Sequence, residues 1–292
     1  MPVRTLVVFG ANGQLGRCLA ETPLPEGWRL IGFGHGAADI LDPAAVAAAL
    51  KGIDQGVVVN AAAYTAVDKA ESEPDAAFAL NRDGAGIVAA AAATAGLPVI
   101  HVSTDYVFDG SKTSPWTEDD PVAPLSVYGA SKLAGEIAVR GANPRHAILR
   151  TSWLFSVHGA NFLKTMLRLG AERPLLKVVA DQHGCPTAAE DLAAIIVAIA
   201  SHLAEGQGFG TFHCTGDEPT TWCGFAAAIM DSARKRGRQM AEVQPIPTAD
   251  YPTPAVRPAY SVLSCLRLAE VHGVAAPPWR RAIEHCLDVL LG

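Results

Sequence analysis

The sequence predicts a doubly wound α/β fold on a parallel sheet, joined by a second, smaller, interleaved α/β domain. Three observations lead there. Short, continuously apolar runs recur through the first half of the chain, helix-patterned stretches separate them, and a glycine-rich turn follows the first run at once. Apolar runs without polar alternation are expected of strands covered on both faces, as in parallel sheets.

Five such runs stand at Thr5 to Phe9, Arg29 to Phe33, Gly56 to Asn60, Val99 to Ser103 and His146 to Ser152. Helical patterns fill the gaps, beginning at Gln14 and continuing with Pro43 to Leu50, Pro74 to Ala95 and Tyr128 to Arg140. Alanine runs such as Ala89 to Ala93 favour helix over strand. This alternation is the rhythm of a doubly wound sheet. Beyond Arg150 the pattern loosens, and Pro174, Pro186, Pro219 and the stretch Pro245 to Pro258 punctuate shorter elements. Residues 1–150 are therefore expected to form a nucleotide-binding domain, and residues 151–292 a substrate-binding domain partly interleaved with it. Ligands of open α/β sheets sit beyond the carboxyl ends of the strands, and a second lobe closes that crevice.

Composition narrows the function. Half of the 292 residues are hydrophobic and 18% are charged, a globular balance rather than a disordered one. A net charge of −6, with its basic residues scattered, lacks the footprint of a nucleic-acid binder. The six cysteines form no C-x-x-C pair that would suggest zinc or redox chemistry, and they are expected to be reduced and mostly buried. The opening MPVRTLVVFG is too short an apolar run for a signal peptide, and no stretch reaches the length of a membrane span, so a cytoplasmic protein is expected.

Gly10-Ala-Asn-Gly13-Gln-Leu-Gly16 follows a strand and opens a helix, the context that a dinucleotide fingerprint requires. Glycines allow a tight turn and close approach of backbone to a pyrophosphate, while the helix N-terminus offers unpaired N–H groups and a favourable dipole. Gly10, Asn12, Gly13, Gln14, Leu15, Gly16 and Arg17 thus form the candidate cofactor cradle of a Rossmann unit. The G-x-x-G-x-x-G spacing suggests the short-chain dehydrogenase class. The second strand ends in Phe33-Gly34-His35, without the acidic residue that would accept the ribose hydroxyls of NAD. NADPH is favoured on that ground, and NADH stays open. Arg17 is a candidate partner for a phosphate, although an exposed helix arginine would look the same. Asp39 and Ile40 stand where this class meets the adenine, or simply begin the next helical segment.

Tyr128-Gly-Ala-Ser-Lys132 places a phenol and an ammonium four residues apart, on one helix face. A nearby cation favours the phenolate and is expected to bring the tyrosine pKa closer to working pH. Lys132 also has the reach to hold a nicotinamide ribose. Thr104, just after a buried strand, is the hydroxyl expected to fix a substrate carbonyl. Ser103 points the other way, toward a hydrogen bond within the core. The catalytic candidates are therefore Thr104, Tyr128 and Lys132.

These motifs, with Asn60-Ala-Ala-Ala-Tyr64, Ser103-Thr104-Asp105-Tyr106-Val-Phe, Tyr128-Gly-Ala-Ser-Lys132-Leu-Ala-Gly-Glu136, Arg150-Thr-Ser-Trp153 and Asp250-Tyr-Pro-Thr-Pro254, resemble the extended short-chain dehydrogenases. Within them the chain is similar to the dTDP-4-dehydrorhamnose reductases over nearly its whole length. That resemblance implies reduction of a nucleotide-sugar C4 ketone, with dTDP-4-dehydro-L-rhamnose as substrate and dTDP-L-rhamnose as product. It places Thr104, Tyr128 and Lys132 on the catalytic positions and Ala61, Ala62 and Ala63 along the cofactor. Thr104, Asp105, Tyr128, Trp153 and Arg257 fall on the substrate side. Trp153 would also serve as plain packing, and Arg257 as a solvated loop residue.

The family pattern continues Arg-Pro with Gly-Asn-Ser, whereas Ala259-Tyr260-Ser261-Val262 stands here. A different nucleotide, a different 4-keto sugar or a rearranged loop would each account for that. Some members carry magnesium at a subunit contact, but no local carboxylate cluster demands a metal here, and none is assigned. A homodimer is compatible with the sequence. Tyr106 stands where dehydratases place a glutamate, which argues against elimination chemistry. An epimerase, or a non-catalytic NADP-binding regulatory subunit on the same fold, are the alternatives. The first would show no net coenzyme consumption and the second no reduction of a ketosugar.

Overall fold

Strands β1 (Arg4–Phe9), β2 (Trp28–Phe33), β3 (Gly56–Asn60), β4 (Val99–Thr104) and β5 (His146–Thr151) pair in parallel, as their apolar runs require. The computed structural model describes residues 3–292; Met1 and Pro2, at the start of the expected first domain, lie outside the described residues. β3 is buried along its whole length, and β1 is buried from Thr5 onward. β2 departs from the expectation of strands covered on both faces. It sits at the sheet edge, next to β1 alone, and no residue of it is fully buried.

The helices of this layer are α1 (Gln14–Glu21), α2 (Pro43–Leu50), α3 (Val67–Ala70), α4 (Pro74–Phe78), α5 (Ala85–Thr94) and α6 (Val127–Ala142). Alternate residues of β1 divide between two cores, as strand geometry dictates. Val7 and Phe9 pack against α2, α5 and α6, through residues such as Val46, Val88 and Val139. Leu6 and Val8 face α1 on the other side, with α8 (Ala189–Ala204) beside it.

The later half of the chain contributes more than α8 to this layer. After β6 (Leu154–Phe155), α7 (Phe162–Glu172), β7 (Leu175–Val179), β8 (His183–Gly184) and β9 (Thr187–Ala188), the chain runs through α8 into β10 (Gly210–His213). β10 docks beside β5 and completes a parallel sheet of order β10-β5-β4-β3-β1-β2. The remaining elements are β11 (Thr220–Thr221), α9 (Trp222–Lys235), β12 (Glu242–Ile246), α10 (Leu266–His272) and α11 (Trp279–Leu291). Around β7 and β12, α7, α9 and α11 build a separate core centred on Phe155, Phe225 and the fully buried Trp279. The six cysteines are all free, and four of them are buried.

The pattern read as one helix over Pro74 to Ala95 is interrupted. Between α4 and α5 the chain makes a π-helical turn over Ala79–Gly84. Asn81 explains the break, because its buried amide needs partners that a regular helix would not bring within reach. Asn81 Oδ1 accepts from the Tyr64 backbone N–H at 2.8 Å, while its Nδ2 donates to Tyr64 O at 3.1 Å and to Ser131 Oγ at 2.9 Å. α6 presses close at this point: a Cβ on Gly135 would stand 2.1 Å from Asn81 O, so only glycine fits.

α6 is also tied to the sheet. Glu136 is fully buried and takes Arg150 Nε at 2.9 Å and Nη2 at 2.8 Å, with Ser103 Oγ donating at 2.7 Å. The hydrogen bond expected of Ser103 within the core is this one. Glu136→Ala would strand the Arg150 guanidinium in the interior, at a cost of about 3–5 kcal/mol. Denaturant unfolding measures that cost, and a loss below about 1 kcal/mol would show the pair to be idle.

Candidate active site

The turn between β1 and α1 is built so that only glycine serves at two points. Gly10 adopts φ +85°, and a Cβ there would lie 2.6 Å from Ala62 N. A Cβ on Gly16 would lie 2.3 Å from Gly10 O, which locks the start of α1 against the turn. Gly13 caps α1 and brings no side chain to its N–H groups. These donors and the helix dipole suit a pyrophosphate, and the close glycine packing provides the approach it needs. The cradle thus fits a dinucleotide. Leu15 and Gly16 are buried in support, whereas Asn12 on the turn and Arg17 in α1 are exposed, with Arg17 Nε on Asn12 O at 3.3 Å. Gln14 reaches across to Leu154 O at 3.4 Å.

The other candidate cofactor residues gather on the same edge. Asp39 Oδ1 accepts from the Leu41 N–H at 3.0 Å and lies 3.6 Å from His35 Nδ1, while the Ile40 side chain is buried below. Ala61 continues β3, its N–H donating to Phe9 O at 3.0 Å, and Ala62 is held by Asn60 Oδ1 at 3.2 Å. Ala61, Ala62 and Ala63 are all half-buried.

Thr104 closes β4 at its carboxyl end and caps the short 3-10 turn Asp105–Val107. Its Oγ1 donates to Asp105 Oδ1 at 3.0 Å and accepts from Tyr106 N at 3.2 Å. Tyr128, in the first turn of α6, meets Tyr106 edge to face at 5.7 Å. One turn on, Lys132 is buried and its Nζ donates to Val102 O at 2.7 Å. Thr104, Tyr128 and Lys132 therefore meet around the end of β4.

Their electrostatics correct one expectation. Tyr128 is not drawn toward neutrality of solution by Lys132. Burial pushes its phenol up to about 12; the Thr104 hydroxyl opposes that shift and the Asp105 charge adds to it. Burial pulls Lys132 down to about 8, with Glu136 resisting. Desolvation dominates both shifts because each ionised form loses its water, and neither side chain acts measurably on the other. Tyr128 thus keeps its proton across the physiological range, the state that a proton donor needs.

Trp153, expected on the substrate side, adopts φ +48°, a left-handed backbone that bulky residues rarely hold. Its ring stacks on Trp222 at 3.7 Å and 10°, and a Cβ on Gly184 would strike it at 2.6 Å. Trp222, which sequence reasoning missed, lines a cleft of about 780 Å³ with Phe162, Tyr251, Asp68 and Arg257. Arg257 does not stand as a lone loop cation. Its fork is engaged with Asp68, Nη1 to Oδ1 at 3.0 Å and Nη2 to Oδ2 at 2.8 Å, which holds the Asp68 carboxyl below the ordinary carboxylate range. Asn81 and Glu136 were missed as well, and a polar residue within an alanine-rich helix was the available signal for Asn81. Among the described residues, no group of His, Cys, Asp or Glu is placed to hold a metal ion, and no helix is long and apolar enough to cross a membrane.

A site of this geometry invites comparison with known proteins. The family model for the RmlD substrate binding domain matches residues 4–291. The chain is 44% identical to a dTDP-4-dehydrorhamnose reductase of Sinorhizobium fredii, covering 98% of this chain and 97% of that one. The chain belongs to the dTDP-4-dehydrorhamnose reductase family. The Escherichia coli K12 member is 42% identical, with 98% and 97% covered. The crystal structure of the Clostridium acetobutylicum member superposes with TM-score 0.92 at 38% identity, covering 99% of this chain and all of that one. The Bacillus anthracis member, solved in complex with NADP, gives TM-score 0.91 at 35% identity, with 98% and 99% covered.

Burial of Lys132 has a consequence for stability. Its folded pKa lies below the ordinary 10.5, so the native state holds fewer protons than the unfolded one between about pH 8 and 10.5. Stability therefore rises with pH across that window, and the burden is full below it. Lys132→Met removes the burden, so the mutant compares best with wild type near neutral pH. Thermal unfolding at both ends of the window should show that advantage shrink by about 3 kcal/mol toward the alkaline end. A pH-independent difference would mean that the ammonium is not desolvated.

Proposed function

We propose that this chain reduces the C4 ketone of dTDP-4-dehydro-L-rhamnose to dTDP-L-rhamnose, with NADPH as reductant. The observation that carries the proposal is the meeting of Thr104, Tyr128 and Lys132 at the end of β4, on the same sheet edge as the glycine-built turn of β1. The family to which the chain belongs, and the NADP complex of a relative, support the choice of substrate and coenzyme.

Bound NADPH supplies a hydride to the ketone carbon. Thr104 holds the ketone oxygen, and Tyr128 gives its proton to the alkoxide that develops there. A phenol pushed upward by burial is a weak acid at rest, and the rising basicity of the alkoxide draws the proton across. Lys132, anchored on Val102 O, would hold the nicotinamide ribose of bound NADPH. Trp153, backed by Trp222, presents a flat face to the sugar. Arg257 grips the diphosphate with the donors that Asp68 leaves it, since a guanidinium carries five N–H groups. The lack of a carboxylate at the end of β2 leaves room for the 2′-phosphate of NADPH, with Arg17 on the neighbouring turn. A homodimer in the cytoplasm is part of the proposal.

Initial rates on dTDP-4-dehydrorhamnose with NADPH and with NADH test the reading, and a chain that consumes neither coenzyme would overturn it. Tyr128→Phe should lower kcat at least about tenfold with coenzyme affinity nearly unchanged, because the phenol acts on the alkoxide. A mutant that keeps most of its kcat would remove Tyr128 as proton donor.

Arg257→Ala should raise KM more than it lowers kcat, with kcat/KM falling about ten- to hundredfold for a lost charge-assisted bond. The same change frees the Asp68 carboxylate on the cleft wall to repel the diphosphate, so Asp68→Asn should cost less. A KM for Arg257→Ala within about twofold of wild type would place the diphosphate elsewhere.

A further inference from the structure

Thr104 has one hydroxyl hydrogen; a substrate ketone and Asp105 compete for it, and the Tyr128 oxygen lies close enough to share it. A substrate ketone offers only lone pairs, so it must receive that hydrogen from Thr104. Asp105 Oδ1, 3.0 Å from Thr104 Oγ1, competes for the same hydrogen whenever the carboxyl is ionised, because a carboxylate can only accept. A neutral carboxyl reverses the bond: it donates to Thr104 Oγ1 and leaves the threonine hydrogen free to turn outward.

The surroundings of Asp105 favour the neutral form. The residue is 2% exposed, and its Oδ2 has no hydrogen-bond partner among the described residues. A buried carboxylate ordinarily recruits donors or a cation to both oxygens. The groups that face it are Thr104 and Tyr106 from its own turn, Tyr128 from α6, Ser261 from the segment after Arg257, and the Cys185 thiol from the segment after β8. None of these is charged near neutral pH, and the Arg257 guanidinium acts on Tyr106 and Asp68 instead.

We propose that Asp105 is a positioning residue that sets the direction of the Thr104 hydroxyl: neutral Asp105 donates to Thr104 Oγ1 and releases the hydroxyl hydrogen to the ketone, whereas ionised Asp105 withdraws it. The inference rests on the reading of Thr104 as the group that holds the ketone. Asp105 keeps its proton throughout turnover, and the proton delivered to the product comes from Tyr128. Burial pushes the Asp105 carboxyl up to about 7, against the lowering pull of Ser261 and Thr104. The two states therefore exchange near physiological pH, and the more active one lies on the acid side.

The test is the pH profile of kcat/KM for ketosugar reduction by full-length wild type and Asp105→Asn. Wild type should lose activity above about pH 7, approaching tenfold per pH unit. The asparagine amide can donate to Thr104 Oγ1 at every pH, so Asp105→Asn should stay within about tenfold of wild type on the acid side and lack this limb. It should overtake wild type on the alkaline side, where the remaining fall belongs to Lys132.

An unchanged limb in Asp105→Asn would overturn the proposal. So would a hundredfold loss at every pH in a mutant that unfolds like wild type and still binds NADPH. A second measurement needs no variant: infrared difference spectra of wild type should show a protonated carboxyl band that vanishes as pH rises through about 7. Absence of that band on the acid side overturns the proposal even if Asp105→Asn does not fold. Wild type that reduces no ketosugar would sink the functional reading instead, and the infrared titration would still report on Asp105.

Discussion

The Glu136 carboxylate, out of contact with water, joins α6 to two adjacent strands at once through Ser103 on β4 and Arg150 on β5. Burying two ions costs several kcal/mol apiece, and the cost is recovered only if every lone pair and N–H finds a partner. Here the pair is bidentate, Ser103 Oγ supplies a third donor at 2.7 Å, and Arg140 adds a fourth at 3.3 Å. The outcome is geometric. Lys132 and Tyr128 lie one and two turns back on the same helix face, so fixing Glu136 fixes them too. Three consecutive residues of β4 then divide the work: Val102 O anchors Lys132, Ser103 anchors Glu136, and Thr104 presents its hydroxyl.

Desolvation sets the chemical character of the site. It pushes Tyr128 and Asp105 up and Lys132 down, and each change favours the uncharged form. A cation four residues away on the helix does not outweigh the loss of water around the phenol. For the proposed reduction this is the useful direction, since a phenol that is to protonate the alkoxide must arrive with its proton in place. Lys132, held near 8 by the opposing pull of Glu136, is still mostly charged at neutral pH. The tie that positions the helix is thus also the charge that keeps the lysine ionised.

Sequence pattern carried the parallel strands well, because a run such as Val57-Val58-Val59 has no polar residue to expose. It carried the glycine turn and the Tyr128 to Lys132 spacing for a similar reason: both are local. Periodicity could not foresee the π-helical turn at Asn81, whose cause is the Tyr64 loop and Ser131, distant in sequence. Nor could it place β10 beside β5, since a four-residue strand leaves too weak a pattern. The direction of the Tyr128 shift was missed because burial depends on the whole fold, whereas the spacing to Lys132 shows only the opposing effect.

The glycine turn of β1 and the cleft lined by Trp222 and Arg257 are mechanically one structure, and Gln14 is the reason. It is the first residue of α1, where the helix faces the expected pyrophosphate, yet its Oε1 accepts from Asn161 Nδ2 at 2.7 Å. Asn161 in turn caps α7 through Lys164 N at 3.0 Å, and α7 lends Phe162, Thr165 and Met166 to the cleft wall. Behind Trp222, which packs on Phe162 at 4.7 Å, Trp153 is held in its left-handed backbone by the stack on Trp222 and by the bare Cα of Gly184. A strained residue persists only where its neighbours over-determine it. Under the proposed function, coupling of this kind would align sugar and coenzyme before either binds and so lower the ordering cost of bringing the hydride and the ketone together.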